Sequence, residues 1–320
     1  MTNYVAITSI LSLLLGAQVS AFSVPMFKEH RAMQRTTPSK TDGVEIELPD
    51  FDELFGRIQE VSPLASMAID GKRGGFDVAD AQYTSNLKWK KIEANKKKLV
   101  YKIDKIDNFQ GLGCPIVRFR STIEGPCVGA LMAEFVMSLD QRSKWDPQVA
   151  LVDEIFPIYD VDAANIAMDF QYGDCIRLGI GYCQTKSNPL VDAREQLILC
   201  GIQELPGNGC VIWGTEMEEW HNNLMPGEKR MTRSKSHLFS IALVPRDDNS
   251  FDVEYILQLE VGGVIPNFLT TPVLVETIKS MLRYAKTQFS DDDVLAPYLK
   301  TQAEKEDFMI NQRQSLLIPF

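Results

Sequence analysis

The stretch FDVEYILQLEVGGVIPNFL, residues 251–269, decides the fold. In its first half, apolar and polar side chains alternate, which predicts a half-buried β-strand over residues 251–261. Gly262 and Gly263 then allow a sharp bend, and Ile265-Pro266 leads into a segment with apolar residues at helical spacing. That apolar stripe comprises Leu274, Ile278, Met281, Leu282, Ala285 and Phe289. The chain is therefore expected to pass from a strand directly into a long C-terminal helix.

Upstream of this strand the chain holds a close series of β-like segments. They are residues 150–157, 164–170, 175–184, 195–203, 209–220 and 233–244. Because turn-like links join them, with no helix between, we expect antiparallel pairing rather than a doubly wound parallel sheet. Apolar and polar faces alternate along the segments, and this pattern also favours an antiparallel sheet.

Further upstream, an amphipathic helix follows two predicted strands. The apolar stripe of the helix comprises Val128, Leu131, Met132, Phe135, Val136 and Leu139. Trp145-Asp146-Pro147 then turns the chain. The two strands are predicted at residues 99–103 and 117–123. Apolar residues at helical spacing within residues 44–80 predict one more helix, in a segment that we interpret as an N-terminal linker.

Three motifs, by their order and spacing, resemble the START (steroidogenic-acute-regulatory-related lipid transfer) family of the Bet v 1-like superfamily. SLDQRSKWDP, residues 138–147, is similar to the family's helix end, where Trp-Asp follows a charged stretch. PLVDARE, residues 189–195, is similar to its proline, short loop and Arg-Asp at the start of a strand. VGGVIPNFL, residues 261–269, looks like its entry to the last helix. The resemblance spans roughly residues 81–289 and implies an α+β helix-grip fold, in which a curved antiparallel sheet wraps around a long C-terminal helix and encloses a hydrophobic cavity.

The resemblance also implies a function. The protein would bind a hydrophobic lipid in the cavity, whether phospholipid, glycolipid or sterol-like, and carry or present it between membranes without catalysis. Burial of acyl chains contributes about 0.8 kcal/mol per methylene, so affinity needs no covalent chemistry. Two residues depart from the family pattern. Glu195 replaces the usual aspartate, and Cys200 stands where sterol-binding members often carry a buried arginine, so the ligand class stays open.

A lipid head group inside a cavity needs polar partners. Polar strand positions supply the candidates Arg118, Arg120, Arg194, Glu216 and Glu260, each of which could instead be an exposed or structurally paired charge. Candidates for the apolar wall are Trp213 and, on the C-terminal helix, Leu274, Ile278, Met281 and Leu282. In the resembling family the gate combines this helix with a loop between central strands. Here that loop holds Pro189, Leu190 and Val191, which are suited to touching a membrane surface.

Several classes of function are disfavoured by the sequence. The formal net charge of −10 argues against nucleic acid, whose phosphates require a basic face. The six cysteines form no C-x-x-C pair, and we expect no metal site. Catalytic motifs are missing too, so we expect a non-enzyme without a cofactor. Two alternatives remain open: a cyclase- or hydrolase-like enzyme of the same superfamily that groups Arg194, Glu216 and His237 around one point, and a ligand-free interaction scaffold.

The first 43 residues have the composition of a targeting sequence. The apolar run at residues 5–16 is too short to span a bilayer but suits a signal peptide, with cleavage expected after Ala21. Residues 22–43 are basic and rich in hydroxyl groups, like a transit peptide. Phe22, directly after the cleavage site, is similar to the two-part presequences of algae with secondary plastids. We therefore expect a chloroplast protein that reaches a secondary plastid through the endoplasmic reticulum, with secretion or an endomembrane lumen as the alternative.

These observations predict five segments. They are a signal peptide (1–21), a transit-peptide-like segment (22–43), an N-terminal linker with one helix (44–80), a START-like lipid-binding domain (81–290) and a C-terminal tail (291–320). The expected partners are a lipid ligand and, transiently, a membrane surface. We expect a monomer.

Overall fold

The computed structural model describes residues 48–83, 86–95, 101–156, 161–169, 171–187, 192–216, 231–263, 267–301 and 303. The signal-peptide and transit-peptide segments lie outside the described residues and stay predictions.

Helices and strands follow one another in the order expected of an α+β domain. Three helices come first: α1 (Phe51–Val61), α2 (Pro63–Ile69) and α3 (Phe76–Gln82). Strands β1 (Lys90–Asn95), β2 (Tyr101–Ile106) and β3 (Ile116–Glu124) lead to helices α4 (Gly129–Met137) and α5 (Leu139–Arg142). The second half comprises β4 (Val149–Phe156), α6 (Val161–Ala167), β5 (Asp174–Thr185), β6 (Arg194–Leu205), β7 (Gly209–Glu216), β8 (Thr232–Pro245), β9 (Ser250–Glu260) and the long helix α7 (Asn267–Gln288).

The nine strands form one curved sheet in the order β1-β2-β3-β9-β8-β7-β6-β5-β4. Neighbours in this order pair antiparallel, and the start of β8 also pairs parallel with the start of β6, Thr232 opposite Arg194. The sheet is not closed into a barrel, and helices including α7 accompany it. The predicted α+β helix-grip architecture is therefore confirmed.

The two faces of the sheet are covered by different helices. On the concave face, side chains such as Phe119 of β3 and Tyr255 of β9 form one core with α4 and α7. Because side chains alternate along a strand, their chain neighbours point to the opposite, convex face. Helices α1 to α3 cover the convex face, where the ring of Phe51 lies edge-on to the ring of Trp213 at 5.8 Å.

The bend between β9 and α7 confirms the role predicted for its two glycines. Gly262 and Gly263 have φ angles of 74° and 72°, in the left-handed region that favours glycine. A side chain on Gly262 would also meet the backbone oxygen of Arg233 at 2.7 Å. The chain can therefore turn sharply from the sheet into the helix only because these positions lack a side chain.

The interpretation of residues 44–80 as a linker is wrong, although the helix predicted within them is confirmed as α1. Asp50 caps this helix by accepting a hydrogen bond from the Glu53 N–H at 3.0 Å. Phe55 and Ile58 are fully buried. The apolar stripe of α1 is covered by the convex face of the sheet, so the N-terminal helices belong to the folded domain.

The strand predicted at residues 164–170 is also wrong, because residues 161–167 form α6. Three alanines in this segment favour a helix. The side chain of Asn165 accepts from the Cys175 N–H at 2.7 Å and donates to the Cys175 carbonyl at 3.3 Å, which ties α6 to the start of β5. Local helix propensity and these two hydrogen bonds to Cys175 thus make the segment a helix, although its short apolar pattern is also compatible with a strand.

Part of the segment interpreted as a C-terminal tail is a further helix, from residue 292 to residue 301. Leu295 is buried in the concave core. The Tyr298 hydroxyl donates to Glu134 on α4 at 2.6 Å. Of the helices in the described ranges, none is long and apolar enough to cross a membrane.

Candidate functional site

The concave face is less completely covered over β5 and β6 than the convex face behind it. Four concave residues are only half-buried: Gly181 and Cys183 on β5, and Gln196 and Ile198 on β6. They lie opposite one another, Gly181 across from Ile198 and Cys183 across from Gln196. The convex residues between them, Tyr182 and Leu197, are buried. Since β4 and β7 flank these strands, the half-buried side chains do not lie on an edge strand of the sheet.

Half-buried apolar side chains on other elements also border the concave core. Each packs against the concave core without being enclosed: Val136 and Met137 of α4, Leu259 of β9 and Leu274 of α7. Apolar groups left partly uncovered in an interior are suited to a hydrophobic ligand, which would supply the missing contacts. These side chains, together with the four half-buried residues of β5 and β6, are called the interior site below.

A charged pair from the turn after α5 lies beside the interior site. The Arg142 Nε donates to the Asp146 Oδ2 at 3.1 Å, and the Arg142 Nη1 donates to the Val136 carbonyl at 3.4 Å. Asp146 also accepts from the Gln148 N–H at 3.0 Å. Within the described part of the chain Nη2 has no acceptor, and 21% of the Arg142 side chain remains exposed. The guanidinium is therefore oriented by the protein but keeps donors for a ligand.

The electrostatic surroundings keep this arginine charged and its neighbours neutral. Burial lowers the pKa of Arg142, but nearby Cys183, Asp146 and Tyr255 outweigh that effect and hold the pKa above its ordinary value. Burial raises the pKa of the Tyr255 hydroxyl and of the Cys183 thiol, so both are neutral at physiological pH. One guanidinium, with a neutral hydroxyl and a neutral thiol near it, thus forms the polar end of the interior site.

Solved structures with the same architecture identify the fold. Human StAR-related lipid transfer protein 5 matches with a TM-score of 0.51 and 13% identity, over 75% of this chain and 100% of that chain. The chain has a START-like fold. Human STARD10 matches with a TM-score of 0.48 and 13% identity over 72% of this chain and 89% of that chain. No family model and no curated protein matches the sequence.

In this START-like fold Arg118 and Arg120 lie on the convex face, away from α7, which corrects the prediction that they face the cavity. Arg118 pairs with Asp104 at 3.2 Å, and Arg120 pairs with Asp80 of α3 at 2.7 Å. The Arg120 Nε also donates to the fully buried Glu254. The alternation that sends Phe119 to the concave core sends both arginines to the other side. Arg120 thus helps to hold α3 onto the sheet, whereas Arg118 pairs within the sheet.

Trp213 is likewise on the convex face, so it is not a wall of the interior site. Its ring lies edge-on to Phe51 and Phe55 of α1, with centroids 5.8 and 6.3 Å apart. Gly201 on the next strand makes room for the indole, because a side chain there would meet the indole ring at 2.5 Å. The tryptophan therefore anchors α1.

Arg194 supports the segment that leads into α7. The Arg194 Nε donates to the Val261 carbonyl at 3.0 Å, and Nη1 donates to the Asp192 carbonyl at 2.8 Å. Nη2 lies 3.5 Å from the Gly262 carbonyl. Arg194 thus fastens the end of the β5–β6 loop to the start of the bend that precedes α7.

Glu216 and Glu260 both contact His237, a residue at an irregularity in the pairing of β8 with β9. The His237 Nδ1 is 3.1 Å from Glu216, and the Nε2 is 3.3 Å from Glu260. A hydrogen bond with Cys114 and the contact with Glu216 raise the pKa of His237 to about 10, against the opposing effect of burial. The histidine is therefore charged at physiological pH and is a poor general base. Arg194 makes its side-chain bonds to backbone carbonyls and is not part of this group, so the three residues weighed for an enzyme are not brought together.

The helix residues named for the cavity wall divide into two groups. Ile278, Met281 and Leu282 are fully buried in the concave core, whereas Leu274 is half-buried and belongs to the interior site. Pro189, Leu190 and Val191 lie outside the described residues. Among the described residues no group of His, Cys, Asp and Glu side chains is placed to hold a metal ion.

The polar residue that sequence reasoning missed is Arg142. It stands inside the quoted motif at residues 138–147, four residues before Asp146. That spacing brings the two side chains together on one turn of a helix. The direction in which the Arg142 side chain points could not be predicted from the sequence. It depends on the break at Ser138, where the chain leaves α4 with extended backbone angles before α5 begins.

Proposed function

We propose that the protein binds a lipid whose head group carries a phosphate or sulfate, in the interior site, and that this group accepts hydrogen bonds from Arg142. The observation that carries this proposal is the Arg142 guanidinium, which is oriented by Asp146 and still has Nη2 free of any described acceptor. An arginine recognises phosphate through planar, charge-assisted hydrogen bonds. A neutral ligand would leave these donors unpaired in a largely apolar interior, which is costly.

The acyl chains supply most of the affinity in this proposal. The half-buried apolar side chains of α4, β6, β9 and α7 would become fully buried when the acyl chains pack against them. At about 0.8 kcal/mol per methylene, the transfer of even part of a long chain outweighs the loss of freedom on binding. The head group then decides which lipid is retained.

Native mass spectrometry tests this function directly. The purified chain is incubated with vesicles that contain equal amounts of phosphatidylglycerol, phosphatidylcholine, a sulfolipid, a galactolipid and a sterol. We expect one lipid per chain, drawn from the lipids that carry a phosphate or sulfate. Binding of the galactolipid or sterol alone, or of no lipid, would refute the proposal.

Transfer between membranes is the second part of the proposed function. Its support is the contact pattern of Arg194, which fastens Asp192 at the end of the β5–β6 loop to Val261 and Gly262 before α7. A loop and a helix joined in this way can form one gate. We expect that Leu190→Asp together with Val191→Asp slows the extraction of a fluorescent phospholipid from vesicles. Unchanged rates would exclude this loop as the gate.

We also propose that the protein acts inside a secondary plastid, on the basis of the two-part composition of residues 1–43 and of Phe22. A fluorescent protein fused behind residues 1–43, expressed in an alga with a secondary plastid, tests this. Plastid fluorescence that moves to the endomembrane system on Phe22→Ala is the expected result. Secretion of both fusions would refute it.

A further inference from the structure

Gly181 is a glycine in the middle of β5, a strand paired on both sides, and neither the backbone nor the packing gives a reason for it. Glycine weakens a strand, because it has no side chain to pack and loses more conformational freedom on folding. It is usually kept where φ is positive or where a neighbour comes too close for a Cβ atom. Gly181 has no positive φ. A Cβ atom there would have its nearest neighbour, the Ile198 Cγ2, at 3.5 Å, an ordinary van der Waals contact.

Two other strand glycines of this sheet, Gly201 and Gly214, differ in that respect. A Cβ atom on Gly201 would meet the indole of Trp213 at 2.5 Å, and one on Gly214 would meet the end of the Ile198 side chain at 2.5 Å. The packing of the fold explains why these positions are occupied by glycine, but it does not explain the glycine at position 181.

The position of Gly181 in the sheet indicates another reason why this residue has no side chain. It lies on the concave face, half-buried, opposite the half-buried Ile198 and two residues before the half-buried Cys183. Cys183 in turn is one of the groups near Arg142. A larger side chain at position 181 would therefore project into the interior site, next to its polar end.

We propose that Gly181 determines the width of the ligand-binding space, and that the ligand fills the volume where a side chain would otherwise stand. This inference rests on the proposed function, because it takes the occupant to be the lipid held by Arg142. It further identifies the ligand as one that is broad near its head group, as a glycerolipid with two acyl chains is. A single-chain lipid needs less room at this level.

The test is a series of substitutions at position 181 with a matched control. Gly181→Ala and Gly181→Val fill the space progressively, and valine suits a strand. The control is Gly209→Ala in β7. Gly209 also has no positive φ, and its Cβ neighbours lie at similar distances, 3.4 to 3.7 Å, but they include Ala68 of α2 on the convex face.

Binding is measured for phosphatidylglycerol and for its single-chain lyso form, and the folded state is followed by circular dichroism melts. For Gly181→Val we expect at least about a tenfold loss of affinity for the two-chain lipid, because the added side chain overpacks a space that the ligand fills. The variant should bind the lyso form as tightly as the parent does. Its melting temperature should not be lowered. Gly209→Ala should bind both lipids like the parent.

Two results would overturn the inference while leaving the proposed function intact. One is unchanged two-chain binding by Gly181→Val. The other is a Gly181→Val chain that no longer folds, since this would show that the space is packed by the protein. If the parent chain itself binds no lipid, the proposed function fails first, and the two failures are thus distinguishable.

Discussion

The Arg142 Nε donates to Asp146 across the turn that follows α5, at 3.1 Å, and the same guanidinium lies over the ring of Trp145 with 5.6 Å between its Cζ and the ring centroid. Trp145 is fixed in turn by its own Nε1, which donates to the Phe135 carbonyl at 2.8 Å. The arginine is thus held by a carboxylate and an aromatic ring. A donor fixed in this way can bind a head group with little further loss of freedom.

Arg142→Met should abolish the preference for anionic lipids. Methionine keeps the length and apolar character of the side chain but removes the charge and every donor. We expect the affinity for phosphatidylglycerol to fall by about tenfold to a hundredfold, as for the loss of a charge-assisted hydrogen bond. Affinity for a diacylglycerol, which lacks the phosphate, should change little. Binding is measured by titration with vesicles and native mass spectrometry.

Arg283→Met on α7 is the matched control for that experiment. Arg283 is exposed, and the same substitution there removes the same charge. Lipid binding should therefore stay at the parent value. An equal loss of phosphatidylglycerol binding in both variants would point to general attraction toward an anionic surface, against a specific site at Arg142.

Two neighbouring positions in α1 should respond with opposite signs. Phe55 is fully buried, stacks on Tyr172 at 4.3 Å and lies edge-on to Trp213. Phe55→Ala should therefore lower the free energy of unfolding by about 3–5 kcal/mol. Gly56 is a helical glycine with nothing within 4 Å of an added Cβ, so Gly56→Ala should raise it by about 0.5–1 kcal/mol.

Urea unfolding followed by circular dichroism measures both effects. If α1 were a detached linker, neither substitution would shift the midpoint. A shift for Gly56→Ala without one for Phe55→Ala would likewise contradict the packing of α1 against the sheet.

The order of elements was predictable because each strand and helix carries its own periodicity. The strand over residues 251–261 and the helix that begins after Gly263 were expected from local patterns, and both exist as β9 and α7. The segment at residues 164–170 was not, because its five apolar residues, interrupted by Asn165 and Asp169, fit a strand or a helix equally well. Only its contact with Cys175 on β5 distinguishes them.

The candidate site was less predictable, because alternation groups residues by face without telling which face is concave. Arg118 and Arg120 were correctly expected to share a side, but both sides of β3 are covered by helices. Their side was decided by the N-terminal helices, whose Asp80 pairs with Arg120. For Arg142 the deciding feature is the break at Ser138, a tertiary effect that local spacing does not encode.

His237 should make the stability of the protein depend on pH above neutrality. Its pKa in the folded chain is about 10, against an ordinary value of 6.5, because of Cys114 and Glu216. Because this pKa is raised on folding, the contribution of His237 to the free energy of unfolding is fully present below pH 6.5. It is lost as the pH rises through 10. Glu260 on β9 also faces the ring, at 3.3 Å.

The test compares the parent chain with His237→Gln by urea unfolding at several pH values. We expect the parent to be the more stable at pH 6, and the difference to shrink steadily by pH 9 to 10. Cysteines and tyrosines also titrate in this range, but they do so in both chains and cancel in the difference. A difference that stays constant with pH would mean that His237 is not held as an imidazolium.

Glu254 should be the most sensitive carboxylate of the convex face. It is fully buried and accepts from the Ser62 hydroxyl at 2.5 Å, from the Leu64 N–H at 3.3 Å and from the Arg120 Nε. Glu254→Gln keeps the shape but removes the charge that balances Arg120, and its amide group brings N–H donors toward other donors. Because the buried Arg120 then keeps only the half-exposed Asp80 as a charged partner, we expect a loss of up to about 3–5 kcal/mol in the free energy of unfolding. Asp107→Asn is the control, since Asp107 is half exposed and pairs with Lys90 and Lys105, and it should cost at most about 1 kcal/mol. If both substitutions cost the same, the buried pairing of the N-terminal helices with the sheet would be wrong.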